Sequence, residues 1–321
     1  MPVLELKDLE VSFGTTRILR GVSLSLERGK TLGVVGESGC GKSMTGLAIM
    51  GMIPLPGRVS RGEIVLENRN LVDIRPRDWL DIRGQEIAMV MQDPFTALNP
   101  MMRVGDQIAE VLWLHLGMNR ASAWKKAVEM LEKVGVPAPE ASARKYPHQM
   151  SGGQRQRVVI AIAFACRPKV LIADEPTTAL DVTLQAQILR LIRELQQEVG
   201  TAVMLISHDI GVIAALSSRI AVYYAGRVVE TGSAEQVLST PEHPYTVALL
   251  NALPNPAKTR LEAIGGQPPN LARLPAGCAF APRCARRFER CVDEPPLIAI
   301  DEAHSAACWL VPEGALTAQG R

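Results

Sequence analysis

The chain has no apolar run near the ~18 residues that a membrane-spanning helix requires; its longest, Val158 to Cys166, covers nine. Its charges nearly cancel, 35 Lys and Arg against 33 Asp and Glu. The net +2 leaves no basic footprint of the kind nucleic-acid binding uses. The first residues, Met1 to Asp8, have no basic region followed by an apolar stretch, so no secretory signal is read there. Long coiled coils are also missing, and none of the six cysteines forms a CxxC pair. Together these absences lead to the expectation of a cytoplasmic protein, a setting in which disulfides do not persist. At ~150 residues per domain, 321 residues allow one large core and a smaller appendage.

What is present begins with residues 36 to 43: Gly36, Glu37, Ser38, Gly39, Cys40, Gly41, Lys42 and Ser43. Three glycines without a β-carbon let successive backbone N–H groups converge on an anion. Lys42 can reach the β and γ phosphates of a nucleotide, and the Ser43 hydroxyl can ligate Mg²⁺. A short apolar strand, Thr31 to Val35, precedes the loop. Met44, Leu47, Ala48 and Gly51 recur at helical spacing after it until Pro54. Phosphates bound here would face a helix N-terminus, where the dipole and unpaired N–H groups favour negative charge.

Around this loop the pattern predicts an α/β fold. Short strands at Val3 to Leu6, Val22 to Leu26 and Glu63 to Leu66 make an antiparallel sheet beside a parallel core. From about residue 95 to 165 the period turns helical, predicting an inserted helical subdomain. The core then resumes at Val170 to Ala173, Ala202 to Ile206 and Arg219 to Tyr223. A helix carrying Leu184, Ile188, Leu191, Ile192, Leu195 and Val199 crosses between the first two. Residues 1–240 are thus expected to form one nucleotide-binding domain. Residues 241–321, rich in Pro, Ala, Arg and Cys, form a loop-rich C-terminal extension.

Chemistry gathers where strands end. Asp174 is positioned to hold Mg²⁺ and Glu175 to orient and deprotonate a water. His208, after the strand Ala202 to Ile206, can donate to a γ-phosphate or position the water. Gln92 has a side-chain oxygen that can complete the Mg²⁺ shell. A second glycine-rich element, Ser151, Gly152, Gly153 and Gln154, opens a helix apolar on most faces and stands 23 residues before Asp174. Its N–H groups and the Ser151 hydroxyl offer another anion site, most useful if it closes on the γ-phosphate of a second subunit.

This ordered set, with Ala179, Leu180 and Asp181 after the acidic pair, resembles an ATP-binding cassette (ABC) ATPase over roughly residues 3 to 235. The resemblance implies a P-loop NTPase core, ATP and Mg²⁺, and two cassettes stacked head to tail. Each ATP would lie between one phosphate loop and the other chain's Ser151 to Gln154. It also implies that Phe13 stacks on adenine, that Lys42 and Ser43 contact phosphate and magnesium, that Asp181 belongs to the nucleotide site, and that Glu175 is the catalytic base. Two positions depart from the family pattern: Met150 where Leu is common and Cys40 where Ser is frequent. At both the backbone carries the function, so hydrolysis is still expected.

The tail narrows the substrate class. His243 to Leu250, then Ala252, Leu253 and Pro254, resembles the segment following the cassette in ATPases of dipeptide, oligopeptide and nickel importers. Cys278, Cys284, Cys291 and Cys308, spaced C-x5-C-x6-C-x16-C, suit a soft metal better than disulfides. That spacing resembles the four-cysteine tail of peptide-importer ATPases, which implies a [4Fe–4S] cluster, with zinc or free thiols as alternatives. The expectation is an ATPase on the cytoplasmic face of the cell membrane that energises peptide uptake. It would pair with a second cassette, as a heterodimer, and with two permease subunits and an external binding protein; nucleic acid is not expected. Import of nickel or another small solute is the nearest alternative, and a soluble cassette protein acting on DNA or ribosomes a more distant one.

Overall fold

Thr31–Val35, Val170–Asp174 and Ala202–Ile206 are buried at every position, which marks strands covered on both faces. In the computed structural model, residues 2–178, 180–252 and 264–311 are described. The chain divides into two compact units that interleave in sequence. Among the described residues, one is made chiefly of 73–205, the other of 5–25, 31–72 and those from 206 onwards.

In the first unit Ile87–Val90 pairs in parallel with Val170–Asp174, Ile87 opposite Val170 and Val90 opposite Ala173. Ala202–Ile206 flanks the other side of Val170–Asp174. The expected crossover is there: helix Val182–Val199 buries Ile188, Leu191, Ile192 and Leu195. Asp181 starts it by accepting from the Leu184 N–H at 2.9 Å, and Gly200 ends it in the left-handed region at φ 75°. The helical subdomain follows its predicted periodicity. Val104–Leu116 buries Val104, Ile108 and Leu112, and Arg120–Lys133 buries Ala123, Ala127, Met130 and Leu131. The third long helix, Gly152–Phe164, buries Val158, Val159, Ile160 and Ala161 in succession, as a core helix must.

In the second unit Thr31–Val35 pairs in parallel with Arg219–Tyr224, and Arg227–Ser233 adds antiparallel to that strand. The antiparallel sheet is ordered Thr16–Glu27, Pro2–Phe13, Arg58–Leu66, Arg69–Asn70. Its first two strands run for 12 residues each, longer than expected. Asp8 (φ 46°) and Gly21 (φ 74°) are taken up inside them. At Lys7 and Asp8 two exposed residues in a row shift the phase of the buried positions from Leu4 and Leu6 to Leu9 and Val11. Such a bulge imitates a turn in sequence because it breaks the two-residue alternation.

The described residues beyond 240 belong to this second unit. Ser305–Ala306 extends the sheet by pairing with Arg227–Ser233, Ala306 opposite Glu230. Glu230 is fully buried. Its carboxylate accepts from the backbone N–H groups of Glu242 (2.8 Å) and His243 (2.9 Å) and lies 2.8 Å from His304 Nε2. One satisfied buried carboxylate therefore ties the start and the end of the tail to the same strand, which a loop-rich segment with little core of its own requires. Sequence periodicity signalled none of Ile87–Val90, Arg227–Ser233 or the two-residue tail strands.

Candidate nucleotide-binding site

The loop from Gly36 to Ser43 joins Thr31–Val35 to helix Lys42–Ile49, as expected. Gly36 (φ 151°) is forced: a β-carbon there would lie 2.3 Å from the Tyr223 carbonyl oxygen and 2.8 Å from Cys40 Sγ. Lys42 is buried, its Nζ donating to the carbonyls of Gly36 (2.6 Å) and Glu37 (2.9 Å). Ser43 is exposed beside it. Beneath the loop Thr45 Oγ1 bonds the Gly41 carbonyl (3.1 Å) and lies 3.2 Å from the buried Tyr223 hydroxyl. The Cys40 thiol is pushed up by burial, with Lys42 opposing. Half-buried Phe13 ends Pro2–Phe13 and packs on Gly57, where a β-carbon would stand 2.4 Å from its ring.

Asp174 closes its strand as a buried carboxylate. Glu175 follows with φ 48°, a conformation that costs a non-glycine residue about 1–3 kcal/mol and concentrates at functional sites. Its Oε2 accepts from the Thr178 hydroxyl at 2.9 Å and from Gln92 Nε2 at 3.0 Å. The structure thus brings Gln92 to Glu175, with the amide nitrogen in contact. His208 is exposed after Ala202–Ile206, and Asp209 caps the next helix by accepting from Gly211 and Val212.

Ser151 and Gln154 form a capping box: Ser151 Oγ accepts from the Gln154 N–H (3.4 Å), and Gln154 Oε1 accepts from the Ser151 N–H (3.1 Å). Gly152 faces open space, whereas Gly153 sits against Leu184, whose Cδ2 would be 2.4 Å from an added β-carbon. Three further side chains support these elements from outside the phosphate loop and the acidic pair. Gln156 donates to the Pro176 carbonyl at 2.7 Å, next to Glu175. Arg283 and Tyr245, from the tail, bond Glu37. A hydroxyl, a carboxylate and an amide oxygen, from Ser43, Asp174 and Gln92, are the hard donors that Mg²⁺ selects. Ala179 lies outside the described residues, as do Leu253 and Pro254 of the tail motif.

The tail thiols converge. Cys278, Cys284, Cys291 and Cys308 line one apolar cavity with Phe280 and Trp309. Burial pushes the thiols of Cys278, Cys284 and Cys308 up, and the neighbouring sulfurs add to the effect. All four are free, and among the described residues no three His, Cys, Asp or Glu side chains stand close enough to hold a metal. The four thiols expected to hold a metal thus share one cavity but are not a set at ligand distance.

His243 is buried beside them, its Nδ1 accepting from the Tyr245 N–H at 3.0 Å. Burial pushes its imidazole down from the ordinary 6.5 to about 4. Between those values the folded chain binds fewer protons than the unfolded one, so this contribution is complete above pH 6.5 and is lost as pH falls towards 4. At ~1.4 kcal/mol per unit the full loss is about 3 kcal/mol. Thermal denaturation should show the wild type losing more stability between pH 7 and pH 5 than His243→Asn, which keeps a capping acceptor.

A family profile described as "ABC transporter" matches residues 19–178, and one described as "Oligopeptide/dipeptide transporter, C-terminal region" matches residues 229–291. The chain is 48% identical to the oligopeptide transport ATP-binding protein OppD of Bacillus subtilis, over 96% of this chain and 89% of that protein. To the dipeptide transport ATP-binding protein DppD of Lactococcus lactis subsp. cremoris it is 46% identical, over 96% and 91%. A dimeric ATP-binding cassette solved in a post-hydrolysis state with ADP and Pi superposes with a TM-score of 0.64 at 29% identity, covering 72% of this chain and 98% of that one. The chain is therefore an ATPase and belongs to the ATP-binding proteins of ABC transporters, on their oligopeptide and dipeptide transport branch.

Proposed function

We propose that this chain hydrolyses ATP to energise uptake of oligopeptides or dipeptides through separate permease subunits. The observation carrying this is the match of residues 229–291 to the C-terminal region of oligopeptide and dipeptide transporters, beyond the 72% of this chain that the solved cassette covers. In this reading residues 1–240 act as the cassette and residues 241–321 as the importer-type extension. The protein works at the cytoplasmic face of the membrane beside a second, non-identical cassette, two permeases and an external binding protein.

In this reading each residue takes the following role. Backbone N–H groups of Gly36 to Ser43 and the Lys42 ammonium bind the phosphates, and Phe13 offers a ring face to adenine. Ser43, Asp174 and Gln92 would hold Mg²⁺, which draws off phosphate charge when bound. Glu175, its carboxylate aimed by Thr178 and Gln92, takes a proton from the water; His208 orients that water. Ser151 to Gln154 serve the partner's nucleotide, and Asp181 belongs to the nucleotide site. Cys278, Cys284, Cys291 and Cys308 would hold a [4Fe–4S] cluster that staples the tail; their convergence on one cavity supports this assignment.

Co-expression with a peptide permease pair should yield a membrane complex whose ATPase activity rises with peptide-loaded binding protein. Stimulation by nickel-loaded protein alone would overturn the peptide assignment. Anaerobically purified protein should contain iron and acid-labile sulfide; stoichiometric zinc with neither would overturn the cluster.

A further inference from the structure

Every polar group of Glu37 is engaged. Its carboxylate takes a two-pronged contact from Arg283, Nη1 at 2.6 Å and Nη2 at 2.8 Å. Its backbone N–H donates to the Tyr245 hydroxyl oxygen at 2.9 Å. Its carbonyl accepts from Lys42 Nζ at 2.9 Å. Two of these partners come from beyond residue 240, and the third is the ammonium that meets phosphate.

Both tail residues are held firmly. The Arg283 side chain is 5% exposed, donates through Nε to the Gly265 carbonyl at 2.8 Å and reaches the Tyr224 hydroxyl at 3.3 Å. Tyr245 is fully buried, its ring 4.6 Å from that of Tyr224 and 5.4 Å from that of Phe280. A planar guanidinium in a fork on a carboxylate sets orientation as well as charge.

We propose that Arg283 and Tyr245 are positioning residues for the phosphate loop, acting on Lys42 through Glu37; this rests on the reading of Gly36 to Ser43 as the ATP site. They do two things. They hold the Glu37 peptide so that its carbonyl presents the Lys42 ammonium, which lowers the ordering that ATP must impose on a glycine-rich loop. Arg283 also neutralises a carboxylate that would otherwise repel incoming phosphate. The tail thereby becomes part of the nucleotide site, and its integrity sets ATP affinity.

Steady-state kinetics on the full chain test this. Arg283→Ala should raise the KM for ATP about tenfold with kcat nearly unchanged, the mark of lost binding rather than lost transition-state contact. Tyr245→Phe, which keeps the ring and removes the acceptor, should raise it by about threefold. Adding Glu37→Gln to Arg283→Ala should recover much of the loss, because the repelling charge is gone; a merely structural role predicts no recovery. Should Arg283→Ala fail to fold, Arg283→Lys, which keeps the charge and loses the fork, takes its place and should still raise KM. An unchanged KM in the folded arginine variant and in Tyr245→Phe, or a double variant no better than the single, overturns the proposal. A wild-type chain that does not bind ATP would sink the underlying site reading, and this inference with it.

Discussion

Glu175→Gln should bind ATP as the wild type does and lose roughly 10²–10⁴-fold in turnover, the usual contribution of a positioned general base. The amide is nearly the same size and keeps an acceptor oxygen for the Thr178 hydroxyl, so the loop need not move. What disappears is the basic oxygen that takes the proton of the attacking water. The left-handed backbone at Glu175, φ 48°, adds to the argument: a conformation held against its own cost aims the side chain. Single-turnover hydrolysis and equilibrium binding of a fluorescent ATP analogue separate the two effects. Hydrolysis near the wild-type rate would remove Glu175 from its role, and loss of binding would mean that the carboxylate is needed to assemble the site.

Lys42→Ala is expected to cost about 10²–10³-fold in kcat/KM, the scale for removing one preorganised donor from a charge-stabilising site. The Lys42 ammonium is buried and already oriented by two carbonyls of its own loop, so it meets phosphate with little reorganisation. Its loss removes the side-chain cation of the loop and also takes the ammonium donor from the Gly36 and Glu37 carbonyls. Both consequences weaken the transition state, so kcat and KM should worsen together, unlike the KM-dominated effect expected at Arg283. Circular dichroism establishes that the variant is folded before the kinetics are read. A kcat/KM within a few-fold of the wild type would put phosphate recognition elsewhere.

The parts of the site legible in sequence are those whose chemistry is local. Gly36 to Ser43 announce a phosphate cradle because strand, glycines, lysine and helix follow within a few residues, and the steric demand at Gly36 shows why that position takes glycine. Ser151 to Gln154 are legible as the opening of a helix, and apolar runs one strand long foretell the buried strands at 31–35, 170–174 and 202–206. The positive-φ residues Asp8 and Gly21 hid the length of the first two strands, since a phase shift in alternation looks like a turn.

Composition and local spacing by themselves determined the nucleotide chemistry, the α/β class and the presence of a cysteine-bearing tail. Only the tertiary structure decided which distant residues meet the candidate site. Gln92 meets Glu175 across 83 residues, and Tyr245 and Arg283 meet Glu37 across 208 and 246. The physical reason is that a hydrogen bond needs its two atoms within about 3 Å, and over such separations that proximity is created by strand pairing and core burial rather than by any spacing along the chain.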